Sequence, residues 1–551
     1  MKSAASRWII IGAWILIATS PGMPQSDLPV SNSGYHETSY ISTDKDIFSP
    51  GEVIYYNGYL VDQEGSPSAV RSGIYYVELI DQRGKIIDRR KTRIVNGYGQ
   101  AYINLSTTLP AGPYWLRGYS KYCLMNYEAG IFSKSIYIVP ENAHPILVSS
   151  PPIMQHMYFF PEGGQLIPDI PCRIIAAGVD GDKQLTPIHG ILRDDQGNEI
   201  VQIVSDSLGF VDFTFTPESQ RNYSAEIKLP SGEEKSFPLP RHSGPASIHL
   251  TKLKDDILLL KLAATSNNVN GGKLMIYSGH QLIMENEISS GDFSQEIDLK
   301  ELPPGLLIFN FRSTDDQLIS ERLFFNETGL QPCYVDLYTD WEDSDSLVEL
   351  ILNLEAYDDE GLPSRPVYDV KIIPKNVHFG QTMNIENYLM VLKYLNPHSE
   401  IIFPALNIHA SSTIDKFLIT QNARPPEVSA DAQPLSALEE SLKLSGTVFN
   451  KNKPYQTDGF YSDLSNLRNL TIFQSDEDGT FEIANLDVID TTDVIFFFNS
   501  GKQKNRSEKQ TFKGNANFSM EFDSIHWPDK VDIHSLAPSF IPPFELNRKT
   551  I

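Results

Sequence analysis

The chain repeats one phrase, in which a glycine turn opens an alternating strand and a second turn, often rich in proline, opens another. Four copies stand in the sequence: NGYGQAYINL…LPAGPYWLRGY from Asn96, SLGFVDFTFTPESQRNYSAEI from Ser207, GDFSQEIDLKELPPGLLIFNF from Gly291 and DEDGTFEIANL…DVIFFF from Asp476. Repetition on this scale indicates several copies of one supersecondary unit. Alternation of apolar and polar residues is typical of half-buried antiparallel strands. The repeat therefore predicts an all-β chain of several small domains, and it does not point to a catalytic cleft.

Residues 35–142 show the strand pattern most fully. Residues 53–61 form one strand, Tyr75, Val77 and Leu79 share one face of another, and Asp81-Gln82-Arg83-Gly84 is a hairpin turn. About seven short strands separated by turn signals are typical of an immunoglobulin-like β-sandwich. The sequence therefore predicts tandem immunoglobulin-like sandwiches.

A chain of 551 residues is too long for one hydrophobic core and should divide into domains. Proline-rich stretches near 145–152 and 238–245, and a polar stretch over 423–433, are the predicted joints. We expect the modules to be coupled only through small interfaces. The predicted units are a signal peptide (1–25), sandwiches over 35–142, 155–242 and 246–328, a fourth β module with a helical segment (329–425), a last sandwich (437–525) and an extended tail (526–551).

One region departs from the strand period. Ile385, Tyr388, Leu389, Leu392 and Leu395 fall at helical spacing, and a proline at position 397 follows them. A second short helix is predicted over 414–420. We therefore expect a short helical segment around 384–421, and helix elsewhere mainly in the signal segment.

Charge and the N-terminal residues indicate where the chain acts. The formal net charge is −25, and an acidic surface of this size repels nucleic acid and anionic lipid. Lys2 and Arg7 precede an apolar run over 8–18, which is the layout of a secretory signal peptide. The run is shorter than the roughly 20 apolar residues of a transmembrane span. We expect an exported chain without an integral membrane span after cleavage; an uncleaved anchor is the alternative.

Several phrases resemble a known family. STDKDIFSPGEVIYYNGYLVD, SGIYYVELIDQRGKII and LPAGPYWLRGYSKYCLMN in the first module resemble the macroglobulin-type domain of the α2-macroglobulin superfamily, and more narrowly that of large cell-envelope proteins of Bacteroidota. FFPEGGQLIPDIPCRIIAAGVD, ISERLFFNE, NIENYLMVLKYL and IDKFLITQ match the same group. LSGTVFN…SDEDGTFEI resembles the carboxypeptidase-regulatory-like sandwich. The resemblance implies tandem macroglobulin-like sandwiches in the cell envelope.

The chain departs from these relatives in two ways. Many of them continue into a TonB-dependent receptor plug, and no plug-like segment is found in this sequence. Protease-trapping macroglobulins carry a Gly-Cys-Gly-Glu-Gln thioester segment, and none of Cys123, Cys172 and Cys333 stands in one. The cysteines are therefore interpreted as small buried hydrophobic residues.

Motifs of catalysis and metal binding are incomplete. His36-Glu37 begins like a zinc-protease motif, but Tyr40 stands where the second histidine belongs. Gly97 and Gly99 lie between strands, so a β-turn is favoured over a phosphate loop. We predict no catalytic, cofactor-binding or metal-binding residues, no cofactor, and no enzymatic activity.

Three acidic loops leave cation binding open as an alternative. Asp476-Glu477-Asp478-Gly479 resembles the start of a calcium loop, but a full loop needs further oxygen ligands and a distal bidentate glutamate, and Asp-Gly is a common hairpin turn. Trp341-Glu342-Asp343-Ser344-Asp345 and Asp358-Asp359-Glu360-Gly361 are the other two. We favour turns at these positions.

The function that follows is a hypothesis. We expect a secreted or envelope-associated, multi-domain binding or scaffold protein with protein partners, and one form of this hypothesis makes it an accessory to an outer-membrane TonB-dependent transporter. The alternative is an α2-macroglobulin-like endopeptidase inhibitor that lacks a thioester. A third hypothesis, a peptidase accessory subunit, rests on the last module alone.

Limited proteolysis tests the predicted joints. Cleavage should begin near 145–152, 238–245 and 423–433, because stretches of this composition bury little backbone. The fragments are identified by mass spectrometry over a time course. Early cleavage within 72–80, which is a predicted core strand, would contradict these boundaries.

Overall fold

A computed structural model describes residues 9–16, 35–424, 444–498, 517–519 and 544–548, with gaps inside the longer ranges. The gaps are 36, 63–64, 124–129, 140–142, 148–153, 182, 230–231, 242–243, 265–270, 290–292, 331–332, 344–347, 365, 375–383, 397–398, 400, 402–407, 409, 451–452, 464–469 and 485–493. Antiparallel sheets dominate the described residues, so the predicted all-β fold class is confirmed.

The first sandwich packs a three-stranded sheet, in the order β2-β4-β7, against a five-stranded sheet, in the order β3-β9-β8-β5-β6. One strand precedes it in the sequence. The strands are β1 (Ile9–Leu16), β2 (Glu37–Thr43), β3 (Ile47–Phe48), β4 (Val53–Asp62), β5 (Ile74–Ile80), β6 (Ile86–Arg93), β7 (Tyr98–Asn104), β8 (Gly112–Tyr119) and β9 (Phe132–Ile138).

The second sandwich is built from two four-stranded sheets. In one, β12 lies between β11 and the strands β13 and β16, and the other has the order β15-β14-β17-β18. The strand β10 (Ala143–Leu147) precedes this sandwich and belongs to neither sheet. The strands of the sandwich are β11 (His156–Pro161), β12 (Cys172–Val179), β13 (Leu185–Thr186), β14 (His189–Asp194), β15 (Glu199–Val204), β16 (Phe210–Phe215), β17 (Tyr223–Lys228) and β18 (Glu234–Pro238).

The third sandwich has sheets in the orders β19-β20-β23 and β22-β21-β24-β25. Its core is formed by inward-facing leucine, isoleucine and phenylalanine residues of both sheets. The strands are β19 (Ala246–Lys254), β20 (Ile257–Ala264), β21 (Gly272–Ser278), β22 (Gln281–Ile288), β23 (Phe293–Asp298), β24 (Gly305–Ser313) and β25 (Leu318–Asn326).

Beyond the third sandwich come a two-stranded sheet, the helical segment and a small last sandwich with sheets β34-β29-β36 and β33-β32-β35. The elements are β26 (Tyr334–Asp343), β27 (Val348–Tyr357), β28 (Val367–Pro374), α1 (Ile385–Met390), α2 (Ser411–Ile419), β29 (Leu444–Thr447), β30 (Phe449–Asn450), β31 (Lys453–Pro454), β32 (Asp458–Asp463), β33 (Thr471–Gln474), β34 (Thr480–Ile483), β35 (Val494–Phe498), β36 (Asn517–Ser519) and β37 (Phe544–Arg548). Short 3-10 turns span Glu162–Gly164, Leu299–Glu301 and Leu392–Tyr394.

The helical segment lies where the sequence predicts it, over α1, the 3-10 turn and α2. The expectation of helix in the signal segment is wrong. Its described residues form β1, which pairs antiparallel with β28. The isoleucine-rich run has high strand propensity, and pairing with β28 satisfies the backbone groups along one edge of β1. None of the described helices is long and apolar enough to cross a membrane.

Several predictions fall wholly or partly outside the described residues. Positions 17–34 of the leader region, the polar joint beyond residue 424 and the opening Gly291 of the third copy are among them. Of the predicted tail, the structure describes β37, which pairs antiparallel with β10. The tail therefore contains an extended strand, and this strand returns to the stretch that follows the first sandwich.

The repeated phrase corresponds to one structural unit. In every copy its first strand belongs to one sheet of a sandwich and its second strand to the other: β7 and β8, β16 and β17, β23 and β24, and β34 and β35. In two copies a tyrosine of the second strand fixes the crossing. The Tyr114 hydroxyl donates to the Pro110 carbonyl at 3.0 Å, and the Tyr223 hydroxyl accepts from the Glu218 amide at 2.9 Å. The repeat is thus a connection between sheets, stapled by a hydroxyl as in immunoglobulin-type corners.

The first three sandwiches are not independent beads. The helical segment places Ile385 and Tyr388 in the core of the first sandwich. Its following residues, among them Val391 and Phe417, share a second core with β12 of the second sandwich and with β24 and β25 of the third. The expectation of small interfaces is therefore wrong for these modules, because one apolar element is buried against all three.

Two turn glycines in the second sandwich separate backbone strain from steric clash. Gly209 (φ 99°), the turn glycine of the second copy of the repeated phrase, and Gly197 (φ 86°) both have a positive φ. An added Cβ at Gly209 would lie 2.8 Å from Leu185 Cβ, whereas at Gly197 it would meet no atom within 4 Å. Gly197→Ala should cost about 1–2 kcal/mol from the left-handed backbone alone. Gly209→Ala should cost about 1–3 kcal/mol more through overpacking.

Urea denaturation of the two variants and the wild type measures this difference in the free energy of unfolding. Equal destabilisation by both substitutions would show that close packing at Gly209 contributes nothing.

Candidate functional site

The fragment of a zinc-protease motif serves the fold. His36 lies outside the described residues. The Glu37 carboxylate is fully buried, and it accepts hydrogen bonds from the Tyr35 hydroxyl (2.9 Å), the Ser120 hydroxyl (2.6 Å) and the backbone amides of Arg71 and Ser72 (2.9 and 3.0 Å). Its two oxygens therefore tie β2 to the loop before β5 and to the end of β8. Such a satisfied carboxylate stabilises the sandwich rather than binding a metal.

The glycine pair Gly97 and Gly99 belongs to a hairpin, as the spacing between strands indicates. Asn96 and Gly97 both have positive φ, 50° and 73°, which is the backbone of a type I′ turn. Val95 and Tyr98 close the turn with reciprocal backbone hydrogen bonds. The loop joins two strands directly and precedes no helix that could hold a phosphate.

Two of the acidic loops are copies of one turn. In Asp476–Gly479 and Asp358–Gly361 the aspartate carbonyl accepts from the glycine amide, and a carboxylate oxygen accepts from the amide that follows the glycine. The same hydrogen bonds recur where an aspartate precedes a glycine by three positions, at Asp81, Asp194 and Asp206. The aspartates therefore act as turn formers.

Metal binding finds no support among the residues that the structure describes. No group of three or more histidine, cysteine, aspartate or glutamate side chains is placed there to hold an ion. Of the third acidic loop, residues 344–345 and the side chains of 341–343 lie outside what is described.

The cysteines differ from one another. Cys123 and Cys172 are buried, as predicted, and burial raises the pKa of each thiol to about 12, so neither forms a thiolate at neutral pH. Cys333 is only half-buried, so the prediction of a buried hydrophobic residue is wrong there. All three are free thiols.

The most unusual site in the structure is the junction of the second sandwich, the third sandwich and the helical segment. At its centre lies Arg322 of β25, whose side chain is only 1% exposed. Its Nε donates to Glu162 Oε1 of the second sandwich at 2.9 Å, and its Nη2 donates to Asp415 Oδ1 of α2 at 2.5 Å. One buried cation thus joins carboxylates from two other parts of the chain.

The junction extends outward through a second arginine. Asp415 Oδ2 accepts from Arg173 of β12 at 2.7 Å, and Arg173 also pairs with Asp212 of β16 at 2.8 Å. On the other side, His249 of β19 lies 3.3 Å from Glu162. The network therefore alternates in charge from Asp212 to Glu162 across all three units.

The two central carboxylates remain ionised inside the junction. Burial raises the pKa of Glu162. The adjacent Arg322 guanidinium and the hydrogen bond with His249 lower the pKa by more than burial raises it, so the net pKa lies below its usual value. Burial likewise raises the pKa of Asp415, and Arg322 and Arg173 together lower it below its usual value. Ionised partners keep the Arg322 charge compensated, which a buried guanidinium requires because it stays protonated.

A glycine permits the close contact between the two sandwiches. Gly163 has a φ of 72°, and a Cβ there would lie 2.4 Å from Ser247 Oγ and 2.6 Å from the Ile248 carbonyl oxygen. Ser247 Oγ donates to the Glu162 carbonyl and Ser320 Oγ to the Gly163 carbonyl, each at 2.7 Å. The turn after β11 is therefore inserted between β19 and β25, where it delivers Glu162 to Arg322.

Apolar packing surrounds the charges. Strand β12 is buried on both faces: Ile174 and Ala176 face the core of its own sandwich, whereas Ile175 and Ala177 face the helical segment. Strand β24 is likewise divided between the core of the third sandwich and the shared core. Continuous apolar runs such as IIAAGV and GLLIFNF are the sequence signal of such two-sided burial. The alternating strands predict separate modules, whereas these continuous apolar runs indicate strands that are covered on both faces.

Comparison with known proteins finds similarity only to solved structures. No family model matches the chain, and neither does any curated protein. Among solved structures, trypsin-activated α2-macroglobulin of Escherichia coli is similar at 11% identity, a TM-score of 0.20 and coverage of 62% of this chain and 31% of that one.

Two further solved structures are similar to parts of this chain. A Salmonella α2-macroglobulin mutant gives 11% identity, a TM-score of 0.18 and coverage of 86% and 39% of the two chains. The central fibronectin-III array of RIM-binding protein gives 12% identity, a TM-score of 0.14 and coverage of 53% and 97%. The chain spans less than half the length of the α2-macroglobulins it matches. At such TM-scores the likenesses carry no argument about this protein.

Removal of the central cation should break the junction. Arg322→Met leaves Glu162 and Asp415 as buried carboxylates without their main partner, and we expect a loss of about 3–5 kcal/mol in the free energy of unfolding. Arg193→Met is the matched control, because Arg193 pairs with the more exposed Glu199 and Glu226, and it should leave the free energy of unfolding nearly unchanged.

Differential scanning calorimetry measures the thermal unfolding of both variants and of the wild type. Arg322→Met should also split the unfolding of the second and third sandwiches into separate transitions. Equal, small effects of the two substitutions would show that the junction is not a coupling element.

Proposed function

We propose that this chain is an exported, multi-domain binding or scaffold protein that holds its first three sandwiches in a fixed arrangement. The observation that carries the proposal is the buried junction at Arg322, where one guanidinium joins the second sandwich to the third and to α2. Because burying this charge demands both carboxylates at once, the three units have one mutual arrangement in which it is satisfied. A scaffold with that property presents the surfaces of several modules in constant relative positions.

A fixed arrangement matters for binding. A partner that contacts two modules of a rigid chain does not have to order them first, so less conformational entropy is lost on association. The helical segment extends the arrangement to the first sandwich, because Tyr388 of α1 packs against Tyr40 and Phe132 with ring centroids 5.8 and 4.7 Å apart. The proposed binding surface therefore extends over more than one sandwich.

The cell envelope is the proposed location, and an outer-membrane TonB-dependent transporter is the proposed neighbour. The apolar run behind Lys2 and Arg7 supports export. The sequence resemblance of the first module and of the helical segment to envelope proteins supports the location. The acidic surface makes proteins better partners than nucleic acid or anionic lipid.

The test is crosslinking in cells that produce the chain, with wild type, Arg322→Met and the surface control Arg193→Met compared at equal abundance. Wild type and Arg193→Met should crosslink in the envelope fraction to the same outer-membrane protein, through positions on at least two modules. Arg322→Met should lose the two-module pattern. Crosslinking to no envelope protein, or a pattern unchanged by Arg322→Met, would contradict the proposal.

The inhibitor alternative has its own readout. Incubation with a panel of endoproteases would leave a sterically trapped protease active on small substrates and inactive on large ones. That result would replace the scaffold proposal with the inhibitor. A hydrolytic activity that survives purification and disappears on a point substitution would refute both.

A further inference from the structure

The outer face of the sheet β2-β4-β7 in the first sandwich carries a row of tyrosine and amide side chains. Register pairs Tyr55 with Tyr102, Asn57 with Gln100 and Tyr59 with Tyr98 across β4 and β7. The alternate residues on both strands point into the core, where Ile54, Tyr56, Ala101 and Ile103 are buried. We call the outward-facing set on β4 and β7 the tyrosine face; its members are Val53, Tyr55, Asn57, Tyr59, Tyr98, Gln100, Tyr102 and Asn104.

One end of the tyrosine face is open and the other is closed. Tyr55 is 58% exposed, and its ring centroid lies 6.2 Å from that of Tyr102. At the other end Tyr59 is only 3% exposed, because Tyr40 and the neighbouring Tyr98 pack against it. The helical segment thus covers one side of this sheet through Tyr40 and leaves the β7 side accessible.

The polar groups of the face are held in place. The Tyr98 hydroxyl lies 3.2 Å from both Asn57 Oδ1 and Gln100 Oε1 and bridges the two amide groups. Because a hydroxyl can both donate and accept, it holds the two amide groups in place whichever end of each amide faces it. A ligand that binds these amides therefore meets polar groups already held in position, which reduces the entropy lost on binding.

The face has no charged member on β4 or β7, and the carboxylate of Asp44 adjoins its open end, where it accepts a hydrogen bond from the Tyr55 amide at 3.2 Å. Nucleic acids and anionic lipids need lysine or arginine, and the face offers neither. A wholly apolar peptide would bury the amides without hydrogen-bond partners, which is costly. The complementary ligand is neutral, has hydroxyl groups that both donate and accept, and has an apolar surface flat enough to stack on a tyrosine ring.

We propose that the tyrosine face binds a neutral polysaccharide. The C–H surface of a sugar ring stacks on Tyr55 and Tyr102, because the face of an aromatic ring is apolar and carries negative charge density. Sugar hydroxyls exchange hydrogen bonds with the Gln100 and Asn104 amides, which have both donor and acceptor atoms. This binding site is separate from the Arg322 junction, so it does not depend on the proposed protein partner.

Affinity electrophoresis of the full chain tests the proposal. Native gels contain a soluble neutral glucan, mannan or galactan, and a gel without polysaccharide gives the reference mobility. At least one neutral polysaccharide should retard the wild type. Tyr55→Ala and Tyr102→Ala should each weaken the affinity about tenfold, which corresponds to the loss of one aromatic stacking contact.

The control is Tyr338→Ala, because Tyr338 of β26 is also exposed, at 54%, and lies outside the face. It should leave the retardation unchanged. If Tyr102→Ala fails to fold, Tyr55→Ala and Gln100→Ala, both at exposed positions, decide the matter.

Three results would overturn the proposal: no retardation by any of the neutral polysaccharides, equal weakening by Tyr338→Ala, or binding of a proline-rich peptide to the face in place of a polysaccharide. Loss of envelope crosslinking with retardation intact would instead refute the scaffold function alone.

Discussion

The arrangement of the second sandwich, the third sandwich and the helical segment depends on the burial of one charge that cannot be removed. An arginine does not lose its proton inside a protein, so Arg322 must find carboxylates wherever β25 places it. The turn after β11 supplies Glu162 and α2 supplies Asp415. Neither carboxylate belongs to the sandwich that carries the arginine. The third sandwich alone would therefore leave the Arg322 charge without a carboxylate partner. The second sandwich and the helical segment supply the two carboxylates, and the three units assemble as one body for that reason.

The helical segment acts as a shared piece of core. A sandwich normally buries one face of each sheet and leaves the other in water. Here the second faces of β12 and β24 are apolar, and Phe417 and its neighbours cover them. The same segment places Tyr388 against the first sandwich. Where the spacing of apolar residues changes from two to 3.6, the chain forms the helical segment that packs the sandwiches together. This arrangement supports a role in presenting several surfaces to a partner.

The acidity of the chain has a structural part as well as a functional one. Aspartates three positions before a glycine close tight turns from Asp81 to Asp476 with the same hydrogen bonds. Repetition of this turn therefore repeats a negative charge. These charges lie on loops, while the tyrosine face on β4 and β7 carries none. The contrast between acidic loops and an uncharged aromatic face favours a neutral ligand on that face and leaves the protein partner to other surfaces.

The sequence by itself determined the all-β class, the position of the helical segment and the turns at Gly209 and Gly479, because these features depend on local period and on backbone conformations that favour glycine. It also indicated that the glycine pair at Gly97 is a turn. Only the tertiary structure decided that the modules share a core, that Arg322 meets Glu162 and Asp415, and that the predicted helix of the leader is the strand β1. The partners in that junction are separated by 160 and 93 positions, and no local pattern encodes which distant carboxylate will compensate a buried charge. That choice depends on how the second faces of the sheets pack.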